Sequence, residues 1–281
     1  MTSPAVITLL VLLAALLHAS WNALVKIGGD RKMTTALVAA LTGAVCVPLL
    51  PFVDPPAPAS WPFILGSVAI HFGYYYGLAR MYETGDFSLV YPLARGLAPL
   101  LVAVAAAATA GETLGTWQML GVTMVSLGIV SLMFGRGWPR GDHALAILFA
   151  GFTCLTIAAY SLTDGFGVRH AGSSLGYIVW LFVVDAIPFP AHIALRRGRD
   201  FKAYARLHWP ACLGAAAMSA LAYGIVIWAM GHTGLASVVS LRETSVVFAA
   251  AIGALFMGES FGRWRIAAAV AVTIGNILIH L

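Results

Sequence analysis

The chain has very little charge. Asp, Glu, Lys and Arg make up 10% of its 281 residues, against 60% hydrophobic residues and a mean hydropathy of +0.90. A soluble domain carries roughly 25% charged residues, and so few could not cover a surface in water. The bilayer is the expected solvent, and the expected class is an all-α membrane protein. The ~10-residue alternation of a transmembrane barrel is missing. Long runs almost free of charge take its place, each near the ~20 residues a spanning helix needs. A helix satisfies its own backbone hydrogen bonds in lipid. Cysteine is scarce as well. Cys46, Cys154 and Cys212 lie far apart within apolar runs and form no C-x-x-C, so they read as small core residues rather than disulfides or metal ligands.

Other absences narrow the function. No H-E-x-x-H, P-loop or aspartate-rich metal motif occurs, and neither a metal nor a cofactor is expected. Gly172 to Gly176 matches G-x-S-x-G as a string, but it lies between helices. A serine nucleophile of that type needs a strand before it, and here the serine is expected to cap a helix. The net charge of +5 does not point to nucleic acid, because the basic residues sit in short loops, as membrane topology requires. The first apolar run, Pro4 to Val25, exceeds a signal-peptide core of ~7–15 residues and is expected to be a retained helix.

What is present is a repeat. Residues 111–117 read GETLGTW and residues 258–264 read GESFGRW, an offset of 147. The same offset pairs Arg95 with Arg242, Gly128 with Gly275, and Tyr76-Gly77 with Tyr223-Gly224. Ten spans are expected, at roughly 4–25, 34–53, 62–83, 86–109, 115–134, 144–166, 174–195, 209–230, 234–257 and 264–281. The polar break at 135–143 divides them into a first half, 1–134, and a second half, 144–281. Arg196 to Arg206 reads as a basic loop, with Phe201, Tyr204 and Trp209 resting at the interface. With five spans in each half, the second enters the membrane in the opposite direction. The fold is then ten transmembrane helices as two inverted five-helix repeats, an arrangement of secondary transporters. Thirteen basic residues fall on one face and only Arg169 on the other, which puts the basic face in the cytoplasm and both termini outside.

This organisation, with its paired G-E-x-x-G-x-W segments, resembles the drug/metabolite transporter superfamily, specifically the EamA-type exporters of amino acids and other metabolites. The likeness runs through Gly96-Leu-Ala-Pro99 to Gly128 and again from Thr244 to Gly275, although Val246 stands where the first copy has Pro99. His18-Ala-Ser-Trp21-Asn22 is similar to the family's first-helix motif. The resemblance implies a pore lined by the first, third and fourth helices of each half. These hold Trp21 and Asn22, His71 and Tyr75, and Tyr91 and Arg95, with Tyr160 and Asp164, Tyr223, and Ser240 and Arg242 as second-half counterparts. It also implies cytoplasmic termini, against the loop charges of this chain.

A charge in the bilayer costs ~2.5–3.5 kcal/mol on insertion scales. Arg95 and Arg242 must therefore face protein or water, either meeting an anion in the cavity or pairing with Glu243 or Asp86. His71, Tyr75, Leu78 and Tyr82 share one helix face and Tyr74 flanks it, giving an aromatic wall suited to a flat amphipathic solute. His71 and Asp164 are proton-coupling candidates. Asp164 also reads as a solvated cap near the membrane edge. Glu112 and Glu259 lie in Gly-flanked turns and are expected to accept hydrogen bonds at the start of the next helix.

The expected function is a secondary transporter of a small amphipathic organic metabolite, with amino acids, aromatic ones foremost, moved outward by alternating access. The alternatives are a passive facilitator or channel, or an intramembrane enzyme. The expected partners are the solute and the lipid bilayer, with no nucleic acid. A monomer is compatible with the sequence, and a bacterial-type inner membrane is the expected location. The topology can be checked with a reporter fused at Leu281: the loop charges predict activity outside the cytoplasm and none within it.

Overall fold

A computed structural model describes residues 3–27, 29–85, 87–112, 114–132, 144–256 and 262–279. Among these residues every regular element is helical. α1 (Pro4–Ile27) is followed by α2 (Arg31–Cys46), which runs on into a 3-10 turn (Val47–Phe52). A second 3-10 turn (Pro58–Ser60) leads into α3 (Trp61–Thr84). Then come α4 (Phe87–Gly96), α5 (Ala98–Ala110) and α6 (Thr116–Ser131). The second part holds α7 (Ala144–Arg169), α8 (Ser174–Asp185), α9 (Pro188–Met230), α10 (Leu235–Arg242), α11 (Ser245–Phe256) and α12 (Arg263–Ile279).

Five described stretches are long and apolar enough to cross a membrane: Pro4–Val25, Arg31–Phe52, Val90–Thr109, Ala144–Arg169 and Ser174–Met230. Leu9, Val104, Leu127, Leu148 and Leu155 point outward and exposed. An apolar exterior of this kind suits lipid, while small and polar side chains pack inward.

Two expected spans and the expected basic loop differ in detail. The run 86–109 is two helices, because Pro99 lacks an N–H and its ring clashes with the carbonyl four residues back, that of Arg95. The run 234–257 breaks at Glu243-Thr244 without a proline. There Thr244 N–H bonds to Leu241 O at 3.1 Å and Val246 N–H to Glu243 O at 3.0 Å, a tightened turn between α10 and α11. The basic stretch 196–206 is helix rather than loop. α9 bends at Arg197 (φ −137°, ψ 39°) and continues. Phe201 and Tyr204 pack against the apolar cluster that contains Trp21, Val25, Leu37 and Cys212, and that apolar contact supports the helical course.

On the basic face, Asp30 caps α2 by accepting from Met33 N–H at 3.1 Å and pairs with Arg197 on α9. Lys32 reaches Glu83 at 2.8 Å. Burial opposes ionisation of Asp30, but the Met33 N–H and Arg197 outweigh it and hold the carboxyl below its usual range. The support that Asp30 gives is complete above the ordinary carboxylate value and is lost as pH falls through the lowered one.

The bounds of α4, α5 and α6, advanced by 147, match those of α10, α11 and α12 to within one residue. α3 packs on α7, α1 on α9, and α6 on α12. The last pair packs through its glycines. A Cβ at Gly121 would meet Gly275 O at 2.5 Å, and one at Gly128 would meet the Ala271 Cβ at 2.8 Å. The helices run antiparallel with backbones nearly touching, which small residues alone permit. Gly121→Val is expected to cost about 1–3 kcal/mol or more by overpacking, read as a lower midpoint of thermal unfolding in detergent. Gly151→Ala, with no atom within 4 Å of the added Cβ, is expected to leave the midpoint unchanged.

Candidate functional site

The broken helices bring their charges together in the interior of the bundle. Arg95 closes α4 and Glu243 follows α10, so each sits at a helix end inside the bundle. Arg95 Nε donates to Glu243 Oε2 at 2.7 Å and its NH2 to Oε1 at 2.8 Å. This two-pronged pair is almost fully enclosed, with the side chains 3% and 0% exposed. The third arm of Arg95, NH1, meets His18 Nε2 at 2.9 Å. A guanidinium only donates, so Nε2 accepts and the His18 proton sits on Nδ1. The Trp21 indole N–H lies 3.3 Å from that same Nδ1 and so contributes packing, its ring edge-on to His18 at 5.4 Å. Tyr91 lies one turn before Arg95, with the guanidinium carbon 5.8 Å from its ring centre.

Beside this cluster lies a small, partly open cavity. Trp21, His71, Tyr74, Tyr75, Tyr160, Tyr223 and Arg242 all line it, joined by His18, Asp185 and side chains of α2. His71 is stacked on Tyr160 at 4.3 Å and more loosely on Tyr75 at 6.0 Å. Tyr74 and Tyr223 stand edge-on to it. The wall is thus one imidazole set among four tyrosines from α3, α7 and α9. Ser67 Oγ is 3.2 Å from His71 Nδ1, and Tyr75 OH donates to Asp185 Oδ2 at 2.9 Å. His71 Nδ1 is 3.8 Å from Asp185 Oδ1, within ion-pair range but beyond a hydrogen bond.

The remaining sequence candidates lie elsewhere. Arg95 and Tyr91 sit behind the wall rather than in it. Ser240 is fully buried. Asn22 bonds its own helix, Nδ2 to His18 O at 2.8 Å. Asp164 is not a solvated cap: it is 0% exposed and accepts from Tyr177 OH at 2.9 Å and from Tyr223 OH. Its position near the end of α7 suggested water, but the neighbouring helices cover it.

Glu112 also differs from expectation. It accepts from Leu235 N–H at 2.9 Å, at the start of α10 rather than of the next helix, and pairs with Arg169 at 2.7 Å. The start of α6 is served instead by Gln118, whose side chain accepts from Gly115 N–H at 3.0 Å. Glu259 lies outside the described residues. Ser173 caps α8 by accepting from Gly176 N–H at 3.1 Å, so the G-x-S-x-G string is a helix start. The acidic partners were the harder residues to place from sequence. Asp185 carried a signal, a carboxylate inside an apolar run, but not its partner Tyr75; Glu243 was an expected partner of the arginines and does pair with Arg95, while the alternative, Asp86, lies outside the described residues.

Residues 142–281 match the model of the EamA-like transporter family. The chain belongs to this family. It is therefore an integral membrane protein of the drug/metabolite transporter superfamily, a transporter of small solutes rather than an enzyme. A crystal structure of another protein superposes with a TM-score of 0.76 at 16% identity, over 98% of this chain and 96% of that one, and so has the same fold. No curated protein matches the sequence.

The buried pair gives a test. Glu243→Gln leaves Arg95 and Arg242 charged and buried without their shared carboxylate, at an expected cost of about 3–5 kcal/mol, read as loss of folded, monodisperse protein. Arg95→Gln is expected to cost less, because Glu243 keeps the buried Arg242 beside it at 3.3 Å.

Proposed function

We propose that this EamA-like protein is a secondary transporter that moves a small amphipathic organic metabolite outward by alternating access, with amino acids, aromatic ones foremost, as its solute class. The observation that carries the reading is the cavity wall of His71 among Tyr74, Tyr75, Tyr160 and Tyr223, bounded by Arg242 at one place and Asp185 at another. Aromatic rings offer flat apolar area with polar tips, which fits a flat solute bearing a few polar groups.

The reading takes the chain as ten spans in two inverted five-helix repeats, 1–134 and 144–281, joined by 135–143. Three observations favour this. The element bounds recur at one offset. The contact of Gly121 with Gly275 is the counterpart, under that offset, of the approach of Gly128 to Ala268, as a two-fold axis between α6 and α12 requires. The two pairings of α3 with α7 and α1 with α9 exchange under the same operation. Helices broken inside the bundle beside the cavity are likewise a transporter feature. The charge balance of the loops favours a cytoplasmic basic face in a bacterial-type inner membrane. Energy would come from an ion or solute gradient, with His71 and Asp164 as the proton-coupling candidates.

Proteoliposome uptake of a panel of amino acids and amphipathic compounds, with and without a pH gradient, tests the proposal. Accumulation of at least one compound against its gradient is expected. Equilibration without accumulation would make the protein a facilitator, and no movement of any compound would remove the transport reading. His71→Ala and Tyr75→Ala are expected to lower the rate about tenfold or more, on the scale of a lost buried polar contact, with folded yield intact.

A further inference from the structure

The two arginines matched by the repeat have different surroundings. All three arms of Arg95 are engaged, two by Glu243 and one by His18, and none reaches the cavity. Arg242 lines the cavity and is 2% exposed, yet its Nε has no hydrogen-bond partner among the described residues. Its contact with Glu243, NH2 to Oε1, is long at 3.3 Å. Both oxygens of that carboxylate are already held by Arg95 at 2.7 and 2.8 Å. One carboxylate therefore faces two guanidinium ions. A guanidinium keeps its proton and has five N–H donors to satisfy, and a buried cation without a full partner is costly. Asp185, the acid that lines the cavity, is engaged by Tyr75, and Asp164, outside the lining, by Tyr177 and Tyr223.

We infer that Arg242 is the recognition point for an anionic group on the solute, a carboxylate or a phosphate-ester oxyanion, while a flat organic body lies against His71 and Tyr160. This rests on the transporter reading of the same cavity and adds to it a charge requirement. The planar fork of arginine matches such an oxyanion through two parallel N–H bonds. Arg95 then acts as a positioning residue. By occupying Glu243 it leaves the donors of Arg242 free to turn to the cavity.

Calorimetric titration of the full chain in detergent tests the assignment, with 3-phenylpropionate, its methyl ester, 2-phenylethylamine and phenyl phosphate as probes. The acid is expected to bind about tenfold or more tighter than the ester or the amine, the scale of a charge-assisted hydrogen bond. Phenyl phosphate binding as tightly as the acid assigns any oxyanion to the site, and its failure to bind restricts the site to carboxylates. Arg242→Gln is expected to abolish the preference for acid over ester, and Arg242→Lys to keep part of it. If Arg242→Gln does not fold, the acid-to-ester ratio of the native chain decides alone. Equal binding of acid and ester, binding of no probe, or an unchanged ratio in folded Arg242→Gln overturns the inference. Transport of neutral aromatic compounds without acid preference would leave the transporter reading standing and this one fallen. Acid-selective binding without transport would do the reverse.

Discussion

The ion pair between Arg95 and Glu243 is the constraint on which the interior depends. Two charges enclosed this far inside an apolar bundle are tolerated only together and with their hydrogen bonds complete. The requirement fixes the ends of α4 and α10 side by side, because a carboxylate gripped through both oxygens allows little rotation or sliding. Both runs break beside the pair, the first at Pro99 and the second in the tightened turn at Glu243-Thr244. Each chain leaves its helix directly after delivering its charged residue, and α5 and α11 resume beyond. His18 on α1 completes the arrangement and ties the first helix to the same point.

The site that results is uneven. α3 supplies the imidazole and two tyrosines, whereas α7 and α9 supply one tyrosine each. The matched arginines differ in their surroundings, one tied fully to Glu243 and His18 and the other buried in the cavity lining. A repeat in sequence thus fixes the placement of the backbone and leaves each copy free to take its own chemistry.

Much of this was legible before the structure. Low charge and long apolar runs gave the membrane class, and G-E-x-x-G-x-W at a fixed offset gave the correspondence between α4–α6 and α10–α12. His71, Tyr74 and Tyr75 could be placed on one wall from helical spacing alone. What spacing could not give was the partner across a helix interface. Glu112 reads locally as the cap of the helix that follows it, and only tertiary packing sends its carboxylate to Leu235 and Arg169. Asp164 reads as solvated by its place in the run, and only the neighbouring tyrosines enclose it. The break at Glu243 has no proline to announce it, and the helical course of 198–206 is supported by the apolar contacts of Phe201 and Tyr204, which charge counting hides.

The position of the Glu112–Arg169 pair has a mechanical meaning. Its side chains are 20% and 30% exposed, at a turn where the first half grips the second. Ion pairs this wet contribute about 0–1 kcal/mol, since water replaces either partner at small cost. The enclosed Arg95–Glu243 pair has no such substitute. The deep pair is thus a fixed contact between α4 and the end of α10, and the shallow one an exchangeable contact between the turn after α5 and the end of α7.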